Sequence, residues 1–322
     1  MRVLVTGGAG YVGSHAIRAL RRRGHQIVVY DDFSAGHECV VRGFEVVQGD
    51  IGDRIALEPA LRGMDAVMHF AGLINVGESV EQPRKYFDNN VHRALNLLDA
   101  ALEAGVPRFI FSSTAAVYGH PNTTPIPESA PRQPVNPYGV TKLLLEHALE
   151  AYERAYGLRF AILRYFNAAG ADESGETGEW HNPETHLIPS ALMAVAGTRP
   201  ELQLFGEDYR TPDGTCVRDY IHVSDLAEAH VLALEYLEPA TRSATLNLGT
   251  GCGYSNRQVL AQVEKTTGRP LPVRICPRRP GDPPVLVADP SQAQNLLGWK
   301  AGRSLPEIVA SAWQWFQTIA QR

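Results

Sequence analysis

Short apolar, β-branched runs alternate along the first half of the chain with longer stretches whose apolar residues recur at helical spacing. Val3-Leu4-Val5, Gln26 to Tyr30, Phe44 to Val47, Asp65 to Gly72, Arg108 to Thr114 and Phe160 to Tyr165 read as strands. The fourth runs on into a turn of small residues. Between the strands the spacing predicts helices over Val12 to Arg23, up to about Gly63, up to Gly105 after a polar segment, and over Tyr138 to Tyr156. Gly24 and Gly157 stand where left-handed caps end such helices. Strands alternating with capped helices predict an α/β fold built on a doubly wound parallel sheet. Ligands bind such sheets beyond the carboxyl ends of the strands, which singles out Asp31, Asp50, Ile51, Phe70, Ala71, Gly72, Thr114 and Phe166. Asp50 also suits a helix N-cap, and Phe70 to Gly72 a plain tight turn.

The second half is less regular. Proline and glycine rise between Gly170 and Asp219, which reads as an excursion outside the sheet. Helices are expected around Leu187 to Ala196 and Val223 to Leu237, a strand over Thr245 to Leu248, a rigid loop over Pro277 to Pro284, and a helix over Leu305 to Ala320. With no repeat and no low-complexity linker, a smaller C-terminal lobe is expected to interleave with the sheet domain. The expected division is 1–166 with about 220–250, and 167–219 with about 251–322.

The turn after the first strand changes the picture from architecture to chemistry. Gly8, Gly10 and Gly13 fit G-x-G-x-x-G, and Gly7, Gly10 and Gly13 fit the looser G-x-x-G-x-x-G. Either register lets a pyrophosphate lie against the amides of a helix N-terminus. Asp31 and Asp32 close the second strand, where a carboxylate accepts from an adenosine ribose hydroxyl. No arginine follows this acid pair directly, which favours NAD over NADP.

Composition narrows the rest. The 322 residues are 44% hydrophobic with a net charge of −5, so a nucleic-acid or membrane-surface partner is not expected. Arg21 to Arg23 form the one basic cluster, in a last helical turn where cations suit the dipole. No apolar run reaches membrane-spanning length and no signal-peptide pattern is seen, so a cytoplasmic protein is expected. Cys39, Cys216, Cys252 and Cys276 are scattered and read as reduced thiols. His181 and His186 flank Glu184, but a proline denies them helical ligand spacing, and no metal is expected.

Tyr138 and Lys142 lie four apart in a predicted helix, hence on one face. Lowering a tyrosine pKa from about 10 to about 7 takes roughly 4 kcal/mol. An adjacent ammonium and the positive nicotinamide ring of NAD⁺ supply stabilisation of that order. Thr114, ending the fifth strand, can hydrogen-bond the reacting oxygen while Tyr138 takes the proton.

T-G-G-x-G-Y-V-G, S-S-T-x-x-V-Y-G and Y-x-x-x-K together resemble the extended short-chain dehydrogenase/reductase family, with its Rossmann-like fold. FAGLINVGESV, NPYGVTKLLLE, RYFNAAGA, THLIP and VRDYIHVSDLA narrow the resemblance to its UDP-glucose 4-epimerases, along essentially the whole chain. The resemblance implies epimerisation at C4 of a UDP-hexose through a 4-keto sugar, with NAD tightly held and regenerated each turnover. It implies Tyr138, Lys142 and Thr114 as catalytic residues. Gly7, Gly10, Tyr11, Val12, Asp31, Asp50, Ile51, Phe70, Asn90, Tyr138, Lys142 and Phe166 would contact the cofactor. Asn167, Leu187, Phe205, Arg218, Arg279 and Asp282 would hold the UDP-sugar, with an ion pair to neighbouring Asp219 as the lesser alternative for Arg218. It implies a homodimer through the helices near 83–104 and 138–156.

Three positions depart from the family pattern. Ile74 stands where many members have a lysine near the nicotinamide ribose, which implies weaker cofactor retention. His186 replaces an asparagine. Leu286 is intermediate at a position where tyrosine excludes N-acetylated sugars and a small residue admits them, which implies weak exclusion. Ala115 and Ala116 follow Thr114 where family dehydratases carry Asp-Glu, which argues against a 4,6-dehydratase. UDP-glucuronate or UDP-pentose substrates stay open, and a non-catalytic NAD-sensing module is disfavoured by the intact Thr, Tyr and Lys.

Overall fold

The computed structural model describes residues 1–238, 242–279 and 281–320. The chain begins with strands β1 (Arg2–Thr6), β2 (Gln26–Asp31), β3 (Glu45–Gln48), β4 (Ala66–His69), β5 (Arg108–Thr114) and β6 (Arg159–Tyr165). Beyond these come β7 (Asn167–Ala169), β8 (Leu202–Phe205), β9 (Val217–Arg218), β10 (Tyr220–His222), β11 (Ala244–Leu248), β12 (Tyr254–Ser255), β13 (Val273–Cys276) and β14 (Val285–Leu286). A seven-stranded sheet runs in the order β11-β6-β5-β4-β1-β2-β3. Every pairing in it is parallel. The order reverses between β1 and β4, so their carboxyl ends flank the crevice where such sheets bind ligands.

Strand residues alternate between two cores, as a parallel sheet covered on both faces requires. The helices are α1 (Tyr11–Arg22), α2 (Arg54–Leu61), α3 (Val76–Glu81), α4 (Pro83–Phe87), α5 (Ala94–Glu103), α6 (Pro137–Tyr156), α7 (Leu187–Val195), α8 (Val223–Tyr236), α9 (Asn256–Thr267), α10 (Ser291–Leu297) and α11 (Leu305–Ile319). Val3, Val5, Val29, Met68, Ile110 and Leu163 meet α1 and α8 through Ile17, Leu20, Leu226 and Leu234. Leu4, Val28, Val67, Phe109, Phe111 and Ile162 meet α2, α5 and α6 through Leu57, Leu97, Leu98, Leu145 and Leu149. A third core joins α7, α9 and α11 around Leu192, Leu204, Val259 and Ile308. It belongs to the smaller lobe.

The expected strands and helices of the first half are all present, with one revision. The polar segment after β4 is itself helical, and the long helix closing at Gly105 is interrupted by a π-helical stretch, Asp88–Arg93. A π segment adds a residue to the turn and re-aims its side chains, and here it carries Asn90. In the second half, α9, α10 and the short strands β7 to β10 and β12 to β14 were not legible as periodic runs. Ala293 of α10 and Trp299 pack into the α1–α8 core, and the Trp299 indole donates to Asp225 O at 2.9 Å. The C-terminal stretch therefore braces both lobes. Within the expected loop 277–284, Pro280 lies outside the described residues. Among the described residues no helix is long and apolar enough to cross a membrane.

Candidate active site

The turn from β1 into α1 shows which glycines are indispensable. Gly7 takes φ +73°, and a Cβ there would lie 2.4 Å from Ala71 N. A Cβ on Gly13 would lie 2.2 Å from Gly7 O. Both are required by close backbone approach within the protein. Gly10 differs, since its Cβ would meet only Gly7 O, at 3.3 Å, and it caps α1 with no side-chain hydrogen bond. The helix N-terminus at Tyr11 and Val12 is thus left to an outside acceptor, as a pyrophosphate requires. The register that matters is Gly7, Gly10, Gly13. Gly8 faces inward, against Val29.

Asp31 is buried at the end of β2, and its carboxylate accepts from Ala9 N and Phe33 N, each at 2.9 Å. Burial pushes its pKa up against those two hydrogen bonds. It is locked onto the glycine loop, with lone pairs left to accept from a ribose. Asp32 points to solvent and accepts instead from Ser34 N and Oγ. Asp50 is not the cap of α2. Asp53 is, accepting from Ile55 N and Ala56 N, while Asp50 accepts from Gly52 N and pairs with Arg93. Ile51 is buried beside it, and its carbonyl accepts from Asn96.

The end of β4 closes the crevice. Phe70 N and Ala71 N both donate to Thr6 O, which fastens the turn to β1. Asn90 clasps Leu73 through two bonds, accepting from its N–H at 2.8 Å and donating to its carbonyl at 2.9 Å. A Cβ on Gly72 would lie 3.3 Å from Asn90 Oδ1 and 3.7 Å from Lys142 Nζ. The π segment, the β4 turn and helix α6 therefore converge on one small space.

Helix α6 starts sharply because Asn136 accepts from Gly139 N at 2.8 Å and Pro137 fills the first turn. That fixes Tyr138 and Lys142 over the end of β5. The Thr114 hydroxyl accepts from Ala116 N at 3.1 Å and stands near enough to the Tyr138 phenol to favour its ionised form, and Tyr138 N donates to Ser79 Oγ at 3.2 Å. Lys142 Nζ donates to Ser112 O at 3.0 Å and lies 6.0 Å from the centre of the Tyr138 ring. Burial raises the Tyr138 pKa, opposed by Thr114, and lowers that of Lys142 to about 8. Phe166, just beyond β6, is buried with Ala115 and Tyr118 against the partly buried Leu286.

On the smaller lobe, Asn167 opens β7 and its N–H donates to Asp219 O at 2.9 Å. Leu187 begins α7 half-buried. Arg218 does not pair with Asp219. Its guanidinium meets Asp282, 64 residues on, while Asp219 is buried and accepts from Thr250, Gly251 and Ala288. Arg279 is exposed and stacks over Phe205, 4.1 Å from the ring centre. Asp282 N donates to Arg279 O at 3.3 Å, so Phe205, Arg218, Arg279 and Asp282 form one cluster. Two guanidinium groups held by a ring and a carboxylate suit a diphosphate.

Two groups of residues stand otherwise than the sequence leads one to expect: Glu146 carries no motif, and His181, Glu184 and His186 lack the helical spacing of a ligand set. Glu146, one turn beyond Lys142, is fully buried, accepts from Ser113 Oγ at 2.6 Å and pairs with buried Arg164 at 2.7 Å. Only the i+4 offset from Lys142 hinted at it. The second group is Glu179, His181, Glu184 and His186, whose donor atoms all lie within 4.8 Å of one another. The proline between them turns the chain back and brings the two histidines together, where helical spacing would have been the only local clue.

Comparison with known proteins identifies the family. Residues 3–249 match the NAD dependent epimerase/dehydratase family. A UDP-glucose 4-epimerase of Rhizobium leguminosarum bv. trifolii is 50% identical over 315 residues, 97% of this chain and 96% of that protein. The structure of a UDP-glucose 4-epimerase from Brucella ovis in complex with NAD superposes with a TM-score of 0.95 at 50% identity, covering 98% of each chain. One from Stenotrophomonas maltophila, with bound NAD and formylated UDP-arabinopyranose, superposes with a TM-score of 0.97 at 44% identity, covering 100% of this chain and 99% of that one. The chain belongs to the NAD-dependent epimerase/dehydratase family, among the UDP-glucose 4-epimerases of its extended short-chain dehydrogenase/reductase branch.

Proposed function

We propose that this chain interconverts UDP-glucose and UDP-galactose by inverting C4 of the hexose through a 4-keto sugar. The observation that carries the reading is the convergence of Thr114, Tyr138 and Lys142 at the carboxyl end of β5, next to the glycine cradle of β1. The cradle fits NAD, because Gly10 leaves the α1 N-terminus open and Asp31 is fastened to the same loop. NAD held by Gly7, Gly10, Gly13 and Asp31 would supply the hydride acceptor for C4 and the donor to its opposite face. Tyr138 takes the 4-hydroxyl proton and gives it back, and Thr114 holds the same oxygen in line. Lys142 keeps a positive charge beside the phenol and so favours its ionisation. Arg218 and Arg279 grip the diphosphate, while Asn167, Leu187 and Phe205 position the nucleoside and sugar.

The lobes divide this work, 1–166 with about 220–250 holding the cofactor and 167–219 with about 251–322 the UDP-sugar. Incubating the purified protein with UDP-galactose and following UDP-glucose by chromatography tests the reading. Conversion supports it. No conversion, with or without added NAD, overturns it and turns attention to UDP-uronates and UDP-pentoses. The enzyme is expected to act in the cytoplasm as a homodimer. Exposed apolar residues on the expected helices, Phe87, Leu144 and Tyr156, support the dimer. A monomeric mass by light scattering at micromolar concentration would count against it.

A further inference from the structure

We propose that Glu179, His181, Glu184 and His186 form a site for one zinc ion that pins the substrate lobe to the cofactor loop. The proposed function gives these residues no joint task, yet they are the one group of metal-ligand type that converges among the described residues. Tetrahedral zinc with two imidazoles and two carboxylates needs bonds of about 2.0–2.2 Å, hence donor separations of roughly 3.3 Å. His181 Nδ1 lies 3.3 Å from Glu179 Oε1 and 3.6 Å from Glu184 Oε2. His186 Nδ1 lies 2.5 Å from Glu179 Oε1 and 3.6 Å from Glu184 Oε1. The two histidines meet different oxygens of Glu184, and all four donor atoms lie within 4.8 Å of one another, so an ion would open the His186–Glu179 contact and draw the remaining donors inward.

A second observation points to the centre of this group. His181 Nδ1 is shielded from water and makes no aligned hydrogen bond, although two carboxylates stand within 4.0 Å. A buried nitrogen that faces the middle of a donor set, and bonds none of its members well, is placed as a ligand is. The frame around it is already built. Glu184 Oε1 accepts from Thr185 N and His186 N, which orients its carboxylate, and the Trp315 indole donates to Glu179 O at 2.9 Å.

The position gives the ion a purpose. His181 lies edge-on to Tyr11, the first residue of α1, whose hydroxyl donates to Gly170 O at 2.7 Å. Trp180 stacks on His37, and its carbonyl lies 2.9 Å from His37 Nε2, on the loop beyond β2. His186 is followed at once by Leu187 and α7. An ion here would fasten the segment that carries Leu187 to the helix start that faces the cofactor. Charge is conserved, since one Zn²⁺ replaces two imidazolium protons between the same carboxylates.

The test uses the full chain, stripped with a chelator and titrated with Co²⁺ and then Zn²⁺. The expected result is one equivalent of cobalt with the visible absorption of a tetrahedral N/O site, displaced by zinc. His186→Gln and Glu184→Gln, each checked for folding by circular dichroism, are each expected to weaken binding about tenfold or more. No saturable binding at one equivalent would overturn the proposal and leave two imidazolium–carboxylate pairs. So would binding that both folded variants retain, which would place the metal on the scattered thiols instead.

Discussion

The Lys142 ammonium lies 6.0 Å from the centre of the Tyr138 ring, one helical turn along the same face, and both groups are buried. Burial moves them in opposite senses, raising the phenol pKa and lowering that of the amine. The phenol therefore depends on positive charge brought near it to act as a base at neutral pH. Tyr138→Phe keeps the ring and removes the proton acceptor. It is expected to lower kcat for UDP-galactose about 10²–10⁴-fold with NAD content and circular dichroism unchanged. A loss smaller than tenfold would remove Tyr138 from the proton transfer.

Lys142 also makes a pH-dependent contribution to stability that can be read with NAD removed. Its pKa of about 8 in the folded chain lies below the ordinary lysine value near 10.4. Between those values the unfolded chain binds more protons, so this group makes the protein more stable as pH rises from about 8 toward 10. Compared with Lys142→Met, cofactor-free wild type is expected to gain up to about 1.4 kcal/mol per pH unit across that window. Urea unfolding of both proteins at several pH values measures it. A constant difference would mean that the folded-state pKa is not depressed.

The legible parts of this protein are those fixed by neighbours along the chain. β5 runs over Arg108–Thr114 as its apolar pattern predicts, and α6 begins at Asn136 and ends at Gly157 because cap chemistry is local. The glycine turn and the Tyr138–Lys142 spacing are local in the same way. What escaped depends on contacts distant in sequence. The Arg218–Asp282 pair spans 64 residues, so the adjacent Asp219 was a false partner. Glu146, in α6, gains its meaning from Ser113 and Arg164 on two strands and from Arg132 in a loop. The π segment at Asn90 reads as ordinary helix, since one extra residue per turn leaves the apolar pattern almost unchanged.

Leu286 sits in β14 opposite Arg218 and packs beside Phe166 and Ala115, between the diphosphate cluster and the strand ends. The family resemblance implies that its bulk faces the sugar rather than the nucleotide. Leu286→Tyr is expected to lower kcat/KM for UDP-N-acetylglucosamine about tenfold or more, and Leu286→Ala to raise it, with UDP-galactose changing far less. Equal effects on both substrates would show that the residue does not gate the N-acetyl group.

Ile74 is 43% exposed, next to Leu73, which Asn90 clasps beside Gly72. A lysine there would reach the same space with a charge. Ile74→Lys is expected to raise the NAD retained through gel filtration, read as absorbance released on denaturation. A lower NAD content in the variant would contradict the place assigned to this side chain.

In the proposed reaction hydride leaves and returns at C4 inside one closed site, and Tyr138 handles the proton. UDP-galactose deuterated at C4, incubated with the purified enzyme and no added NAD in ordinary water, tests it most directly. Mass spectrometry of the UDP-glucose formed is predicted to show the deuterium retained at C4. Product with the label washed out to solvent would rule out internal hydride return.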